Sequence, residues 1–558
     1  MYEAPRALQG AEAVATAPDT APDGVQEKQA GRRPFRRLGT ARVDWAFGGA
    51  VGLVAVWALF QNLFRIGTST IVADEPTYAN AAWRYVHDDV APPAVHPSMS
   101  IVTPDNFEHP PLAKFLFGIA QLIAGSPDSV TADRVVSALC TLLAGLLIGV
   151  WIGRYAGRWT GLLAAALVTV LPETASGSVI RFDRTGMLDP VASFFMVLSV
   201  VLAWEWARRS GRSAWLWAAA AGVATGCAAG SKENGFLGVV GPIMLVVLMA
   251  AFAKKRFVER TLQAVMACAL SVVVFVGLYL PFGHPLARIR YLIDFQSTQS
   301  AAGHLIGFAG QVSSKPPWWA NLWFAGHSFG SALTVVLVIA ALLAVVLRRK
   351  DLLTWWCVAA LAVPVIFHCF IANVALGYYW VMWTPMFFVL AALGIKTVVE
   401  QAATVRRFGT AVAVVAAGVA LAVPLGQMVE GSVTVATLEP TGIKALPAIM
   451  RQHGLHGTVI AAGLPTWLLA YYMPTTPVVL SAAAPVTGAE TIVIGQPQCR
   501  ELIDQSVRAL VAVNLPSGRV REIYSDSAIV VYDATGPLTT PTTAQIAAEP
   551  PGNLTDHC

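Results

Sequence analysis

Residues 133–153 read DRVVSALCTLLAGLLIGVWIG, and nothing between Arg134 and Arg154 is charged. A helix rises about 1.5 Å per residue, so some twenty apolar residues match the roughly 30 Å hydrocarbon core of a bilayer. A helix that is apolar on all sides belongs in lipid or in the core of a large protein. Composition decides between these. Of 558 residues, 56% are hydrophobic and 13% are charged, and the mean hydropathy is +0.59. Soluble domains carry about 25% charged residues. Comparable runs lie near 45–65, 159–175, 188–207, 214–230, 235–253, 261–281, 327–347, 352–372, 379–398 and 408–427. The sequence therefore predicts an α-helical polytopic membrane protein with about eleven transmembrane helices, its membrane part covering 43–429.

Charge sets the orientation. The net charge of +5 is small, but its placement is uneven. Arg32, Arg33, Arg36, Arg37 and Arg42 precede the first run, and alternate loops carry Arg154/Arg158, Arg208/Arg209/Arg212, Lys254–Arg260, Arg348–Lys350 and Arg406/Arg407. Basic loops mark the cytoplasmic side, which predicts a cytoplasmic N-terminus and an extracytoplasmic C-terminus in a multi-pass plasma-membrane protein. No basic patch interleaved with aromatics points to nucleic acid. Residues 1–42 lack apolar periodicity and read as a disordered tail, and the apolar run after them, long enough to span and without an evident small-residue cleavage site, reads as an uncleaved first helix. Beyond about 430 the pattern changes. Val459–Ala462, Val478–Leu480, Thr491–Ile494 and Ala528–Tyr532 read as strands, and Gly442–His453 and Gln498–Val511 as helices. This predicts a small extracytoplasmic α/β domain over 430–534, followed by a loose tail over 535–558. Cys140, Cys227, Cys268, Cys357 and Cys369 fall inside apolar runs, whereas Cys499 and Cys558 are placed where a disulfide could form.

Ionisable residues gather in the outer loops. The first outer segment, about 66–132, opens on Ala73-Asp74-Glu75-Pro76-Thr77-Tyr78. The paired acids read either as a helix start with Asp74 as cap, or as a general base held at the membrane boundary. Then comes Asp105-Asn106-Phe107-Glu108-His109-Pro110-Pro111-Leu112-Ala113-Lys114, where the prolines stiffen the backbone carrying Glu108 and His109. Pro111–Ala124 is short for a span and reads as a helix along the outer surface. Arg181-Phe182-Asp183-Arg184 leads to Asp189 at the start of the fourth span. It is either a salt-bridge network or an anion site. Lys232-Glu233 lies among glycines after the fifth span, as an ion pair capping a turn or as a lysine meeting a lipid phosphate. His304 and Lys315-Pro316-Pro317-Trp318-Trp319 occupy the second long outer segment, about 282–326. Trp pairs commonly anchor at interfaces. His304 is polar surface or a partner for a carboxylate at a metal or substrate site.

In this order the motifs resemble the GT-C membrane glycosyltransferases, in particular the protein O-mannosyltransferases and the lipid A aminoarabinose transferases. The carriers are Asp74-Glu75 with Tyr78, Glu108, the His109–Lys114 run, Arg134, Arg181 to Asp189, Lys232, and Tyr378-Tyr379 with Pro385, across about residues 45–400. The resemblance implies a sugar donor on a polyprenyl or dolichyl phosphate and transfer at the outer face. Asp74, with Glu75 beside it, would be catalytic, deprotonating an acceptor hydroxyl. Arg134, Arg181 and Lys232 would neutralise the phosphate. Glu108, His109, Lys114, Asp189 and Tyr378 would line the substrate site, and Glu108 with His304 would hold a divalent metal if one is used. Mannose is the favoured sugar, and the acceptor is a protein hydroxyl or an envelope lipid or glycan. A transporter or lipid flippase is the competing class. Such proteins tend to show repeated halves and midplane breaks, and this sequence shows no repeat.

Overall fold

The computed structural model describes residues 44–71, 74–92, 104–127, 129–171, 181–254, 256–303, 306–309, 311–404, 408–440, 442–462, 469, 471–473, 475–479, 489–495, 505–526, 529–534 and 536–548. The chain divides into two compact units, Met1–Gly48 and Gly49–Cys558. Only the start of the first helix is described in the first unit; the sheet and the site belong to the second.

The helices are α1 (Trp45–Leu63), α2 (Glu75–Val86), α3 (Leu112–Ala124), α4 (Val130–Ala156), α5 (Arg158–Thr169), α6 (Leu188–Arg208), α7 (Gly211–Ser231), α8 (Leu237–Phe252), α9 (Phe257–Gly277), α10 (Pro285–Ala302), α11 (Ala320–Phe329), α12 (Ser331–Leu347), α13 (Leu352–Ile366), α14 (Thr384–Thr404) and α15 (Phe408–Ala436). Each predicted apolar run carries a helix. The expected eleven spans are nonetheless not all met by length and apolarity. Among the described residues six helices qualify, or up to seven if α11 and α12, bent by 108°, make one span. The physical reason is visible in individual helices. α5 has 12 residues and α8 has 16, short of a bilayer core at about 1.5 Å per residue. α7 has 21 residues, but Ala and Gly dominate its second half.

Small residues let these helices approach closely. A Cβ at Gly241 of α8 would run into the Ala359 carbonyl of α13, and one at Gly394 of α14 into the Ala340 carbonyl of α12. The bundle also has two chemically distinct ends. Near the end of α6, Glu205 pairs with Arg154 (3.9 Å) and Arg209 (3.1 Å). Arg260 donates to the Trp206 and Arg209 carbonyls at 3.1 and 2.5 Å. Three of the basic loops thus meet at one end. Asp189 lies at the other end of α6, about 24 Å away along the axis.

Ile306–Phe308 (β1) and Gln311–Ser313 (β2) form a small antiparallel pair. The C-terminal strands are β3 (Thr458–Ala462), β4 (Val478–Val479), β5 (Ala489–Gly495), β6 (Val520–Ser525) and β7 (Ile529–Ala534), in the order β4-β3-β5-β7-β6. β3 runs parallel to β4 and β5, and β7 antiparallel to β5 and β6. Alternation assigns the faces. Val459, Ala461, Val493 and Val531 pack against α16 (Leu446–His453), and this core continues into Ile71, Ala79 and Val130. Ile460, Ile492 and Ile494 face α17 (Gln505–Asn514). The predicted strands are present, and β6 is additional to them. Cys499, Cys558 and the first residues of the predicted helix Gln498–Val511 lie outside the described residues.

Candidate active site

An N-capping residue needs non-helical, typically extended backbone. Asp74 precedes α2 at φ −97°, ψ −7°, and its side chain makes no capping bond. Among the described residues no hydrogen bond or ion pair engages its half-buried carboxylate. Its charge is nevertheless felt nearby. Burial first, and the Asp74 charge next, push the Tyr78 and Tyr378 phenols well above their usual range.

Glu75 points the other way. It is fully buried and accepts from Arg134 Nε and Nη2, both at 2.7 Å, and from the Gly186 N–H at 2.5 Å. The remaining Arg134 donors go to the Ile66 carbonyl (3.2 Å), the Ser69 carbonyl and hydroxyl (2.9 Å each) and the Thr70 carbonyl (2.9 Å). This bidentate pair ties α2 to α4 and to the segment leading to Asp74.

The Pro-Pro turn is fixed in a similar way. The buried Lys114 ammonium donates to the Asn106 carbonyl, to Asn106 Oδ1 (3.1 Å) and to the His109 carbonyl (2.8 Å). Burial pulls its pKa down to about 7, against the opposing pull of Glu108, Glu233 and Asp105. Glu108 is buried and accepts from the Tyr291 hydroxyl at 3.0 Å. His109 is left with its ring partly exposed.

Arg181 is committed elsewhere. It forms a fork on Asp183, with Nε at 2.9 Å and Nη2 at 2.6 Å, and donates to the Leu171 and Val168 carbonyls at the end of α5. Arg184 reaches the Gln61 and Phe64 carbonyls at 2.6 Å each, at the end of α1.

Lys232 follows α7 and donates to Asp189 Oδ1 at 2.7 Å, with its ammonium over the rings of Tyr378 (4.9 Å) and Tyr379 (5.0 Å). Among the described residues the buried Asp189 Oδ2 has no partner. Next to Lys232, Glu233 Oε2 lies 3.1 Å from His109 Nδ1, both side chains about a quarter exposed. Burial would raise the Glu233 carboxyl. The His109 charge and hydrogen bond, with Lys232 behind them, outweigh it and hold the group at about 2. His368 completes the wall in the π-helical turn Phe367–Ile371, its ring 5.0 Å from Tyr379 and its Nδ1 without a partner among the described residues.

From Glu233 a cavity of about 570 Å³ opens between α7, α8, α9 and α10. Its lining is mostly apolar, including Phe236, Val240, Ile243, Val272 and Phe275, with Glu233 and Gln296 among its few polar groups. An elongated apolar chain with a polar head suits such a cavity better than a sugar alone.

Residues 49–291 match the family model of the dolichyl-phosphate-mannose-protein mannosyltransferases. No curated protein matches the chain. Among solved structures it is similar to ArnT from Cupriavidus metallidurans bound to undecaprenyl phosphate, at 16% identity over 88% of this chain and 98% of that one, with a TM-score of 0.51. It is also similar to the Archaeoglobus fulgidus oligosaccharyltransferase in its apo form, at 12% identity over 89% of this chain and 75% of that one, with a TM-score of 0.55. The fold is that of the GT-C glycosyltransferases.

Within this GT-C frame, Asp74, His109, Asp189, Lys232 and Tyr378 come together around one polar centre. Glu75, Arg134, Arg181 and Lys114 adjoin it as internal braces. Glu108 belongs to the brace beneath His109. Sequence reading placed Glu233 only in a capping turn and did not single out His368. Glu233 shares a turn with Lys232 and a groove with Gln296, and neither juxtaposition leaves a periodic signal. His304 lies outside the described residues. Among the described residues no group of three or more His, Cys, Asp or Glu could hold a metal ion. The expected pairing of Glu108 with His304 on a metal thus falls partly outside the described residues.

Proposed function

We propose that the protein transfers mannose from a polyprenyl-phosphate carrier to an acceptor hydroxyl, a protein Ser or Thr in the first instance, at the outer face of the membrane. The observation that carries this reading is the unengaged Asp74 carboxylate beside a cation-bearing centre that opens into an apolar groove. The carrier chain occupies the groove, and the phosphate meets Lys232 and His109. Arg134 and Arg181 are bound to carboxylates and hold the frame. The acceptor O–H gives its proton to Asp74. Its oxygen forms the new bond to the anomeric carbon as the carbon–oxygen bond to phosphate breaks, and the electron pair leaves with the polyprenyl phosphate. A phosphate leaving group needs no protonation, so one base and nearby cations suffice. A match to a mannosyltransferase family model over 49–291, which includes Asp74, supports both the sugar and the acceptor class. Eleven spans, with the C-terminal sheet outside the cell, complete the proposed arrangement.

Purified protein in nanodiscs, given polyprenyl-phosphate mannose and a Ser/Thr-rich peptide, is expected to mannosylate the peptide. Asp74→Asn should lower kcat by about 100-fold or more, the usual scale of a general base, with unchanged yield and melting temperature. Wild-type turnover in that variant would remove Asp74 from the mechanism. Transfer to an envelope lipid or glycan instead of the peptide would reassign the acceptor.

A further inference from the structure

Residues 66–71 are held from two sides, and only one side belongs to the membrane bundle. From α4, Arg134 holds the carbonyls of Ile66, Ser69 and Thr70. From the C-terminal layer, the Tyr472 hydroxyl accepts the Ile71 N–H at 3.1 Å, and the Lys444 ammonium donates to the Gly67 carbonyl. Ile71 itself is buried with Ile443, Leu446, Leu469 and Met473 of that layer. Asp74 lies three residues beyond Ile71, so at about 3.3–3.6 Å per residue the position of Ile71 bounds where the carboxylate can be.

We propose that Tyr472, through its bond to the Ile71 N–H, is a positioning residue that holds the Asp74 segment at the reaction centre, and so makes the C-terminal α/β layer part of the catalytic apparatus. The inference rests on the reading of Asp74 as base. Tyr472 touches neither donor nor acceptor in this account. Burial pushes its phenol up to about 12, against the opposing pull of the Ile71 bond and the Arg134 charge. A buried amide that loses its acceptor pays desolvation without return, so the segment should loosen when the hydroxyl is removed.

The test uses the full-length protein in nanodiscs. Tyr472→Phe keeps the ring and deletes the acceptor. Hydrogen exchange of peptides covering 66–79 should speed up about tenfold, and kcat should fall by about 5- to 30-fold. Donor KM should stay within about twofold and the melting temperature nearly constant. Lys444→Met, which removes the second tether, should give the same kcat-against-KM split. Unchanged exchange in Tyr472→Phe overturns the tether. Faster exchange with wild-type kcat overturns the positioning role, as does a parallel shift of kcat, KM and melting temperature, which marks a general loss of folding. A wild-type protein inactive with every polyprenyl-phosphate sugar overturns the transferase reading and with it the role of Asp74, while the exchange experiment still decides the tether.

Discussion

Arg134 and Arg181 look in sequence like cations waiting for a phosphate, yet each is closed by a carboxylate and by backbone carbonyls. Buried guanidinium groups recruit partners from their own chain, because an unpaired buried charge costs about 3–5 kcal/mol when one partner is lost. Lys114 shows the same pressure without a carboxylate in contact, and it yields a pH prediction. Its pKa is lowered from 10.5 to about 7 in the folded protein. Below about pH 7 both states bind the proton and the burial penalty is fully present. Between about 7 and 10.5 the unfolded chain binds more protons than the folded one, so stability rises with pH. The melting temperature of wild-type protein should therefore increase from pH 7 to pH 9 relative to Lys114→Met, measured in the same detergent. A flat difference across that range would show that Lys114 keeps its proton in the folded protein up to pH 9, so that burial does not lower its pKa. Asp74 and Lys232 were legible in sequence because acids and lysines beside apolar runs are conspicuous. Glu233, His368 and Tyr472 were not, since what distinguishes them is a neighbour more than a hundred residues away.

At the scale of elements, each predicted apolar run carries a helix, because a lipid-facing helix needs a long uncharged stretch whatever it packs against, whereas α10 and α11 in the second outer segment were not read from sequence. Their ends and number were less legible. Short or alanine-rich helices such as α5 and α7 are settled by neighbours, not by their own hydropathy. β6 escaped for a similar reason. It is an edge strand reading VREIYS, with only Val520 fully buried, and charged edge strands resemble loops in sequence. Packing between α12 and α14 gives the corresponding prediction. Gly394→Ala places a methyl group against the Ala340 carbonyl, and overpacking of this kind costs typically 1–3 kcal/mol. The variant should melt several degrees lower while keeping donor KM, because the contact lies in the bundle and not at the Lys232 centre. Wild-type stability would mean that the two helices can part without cost.

The whole molecule is polarised along its helix axes, and this is what makes a surface transferase physically coherent. Arg154, Arg209 and Arg260 gather about Glu205 and the end of α6, while Asp189, Lys232 and the Asp74 segment lie toward its start. Basic loops are retained on the cytoplasmic side, so the groove mouth and the five-stranded sheet should both face outward, where a lipid-linked sugar and an exported acceptor can meet. Accessibility tests this directly. In a background with the seven native cysteines replaced, Arg451→Cys on α16 should react in intact cells with a membrane-impermeant maleimide. Arg349→Cys, exposed in the loop between α12 and α13, should react only after the membrane is opened. The reverse pattern would put Asp74 on the cytoplasmic face, where neither an outer-leaflet donor nor an exported acceptor could reach it, and the proposed chemistry would lose its substrates even with every side chain in place.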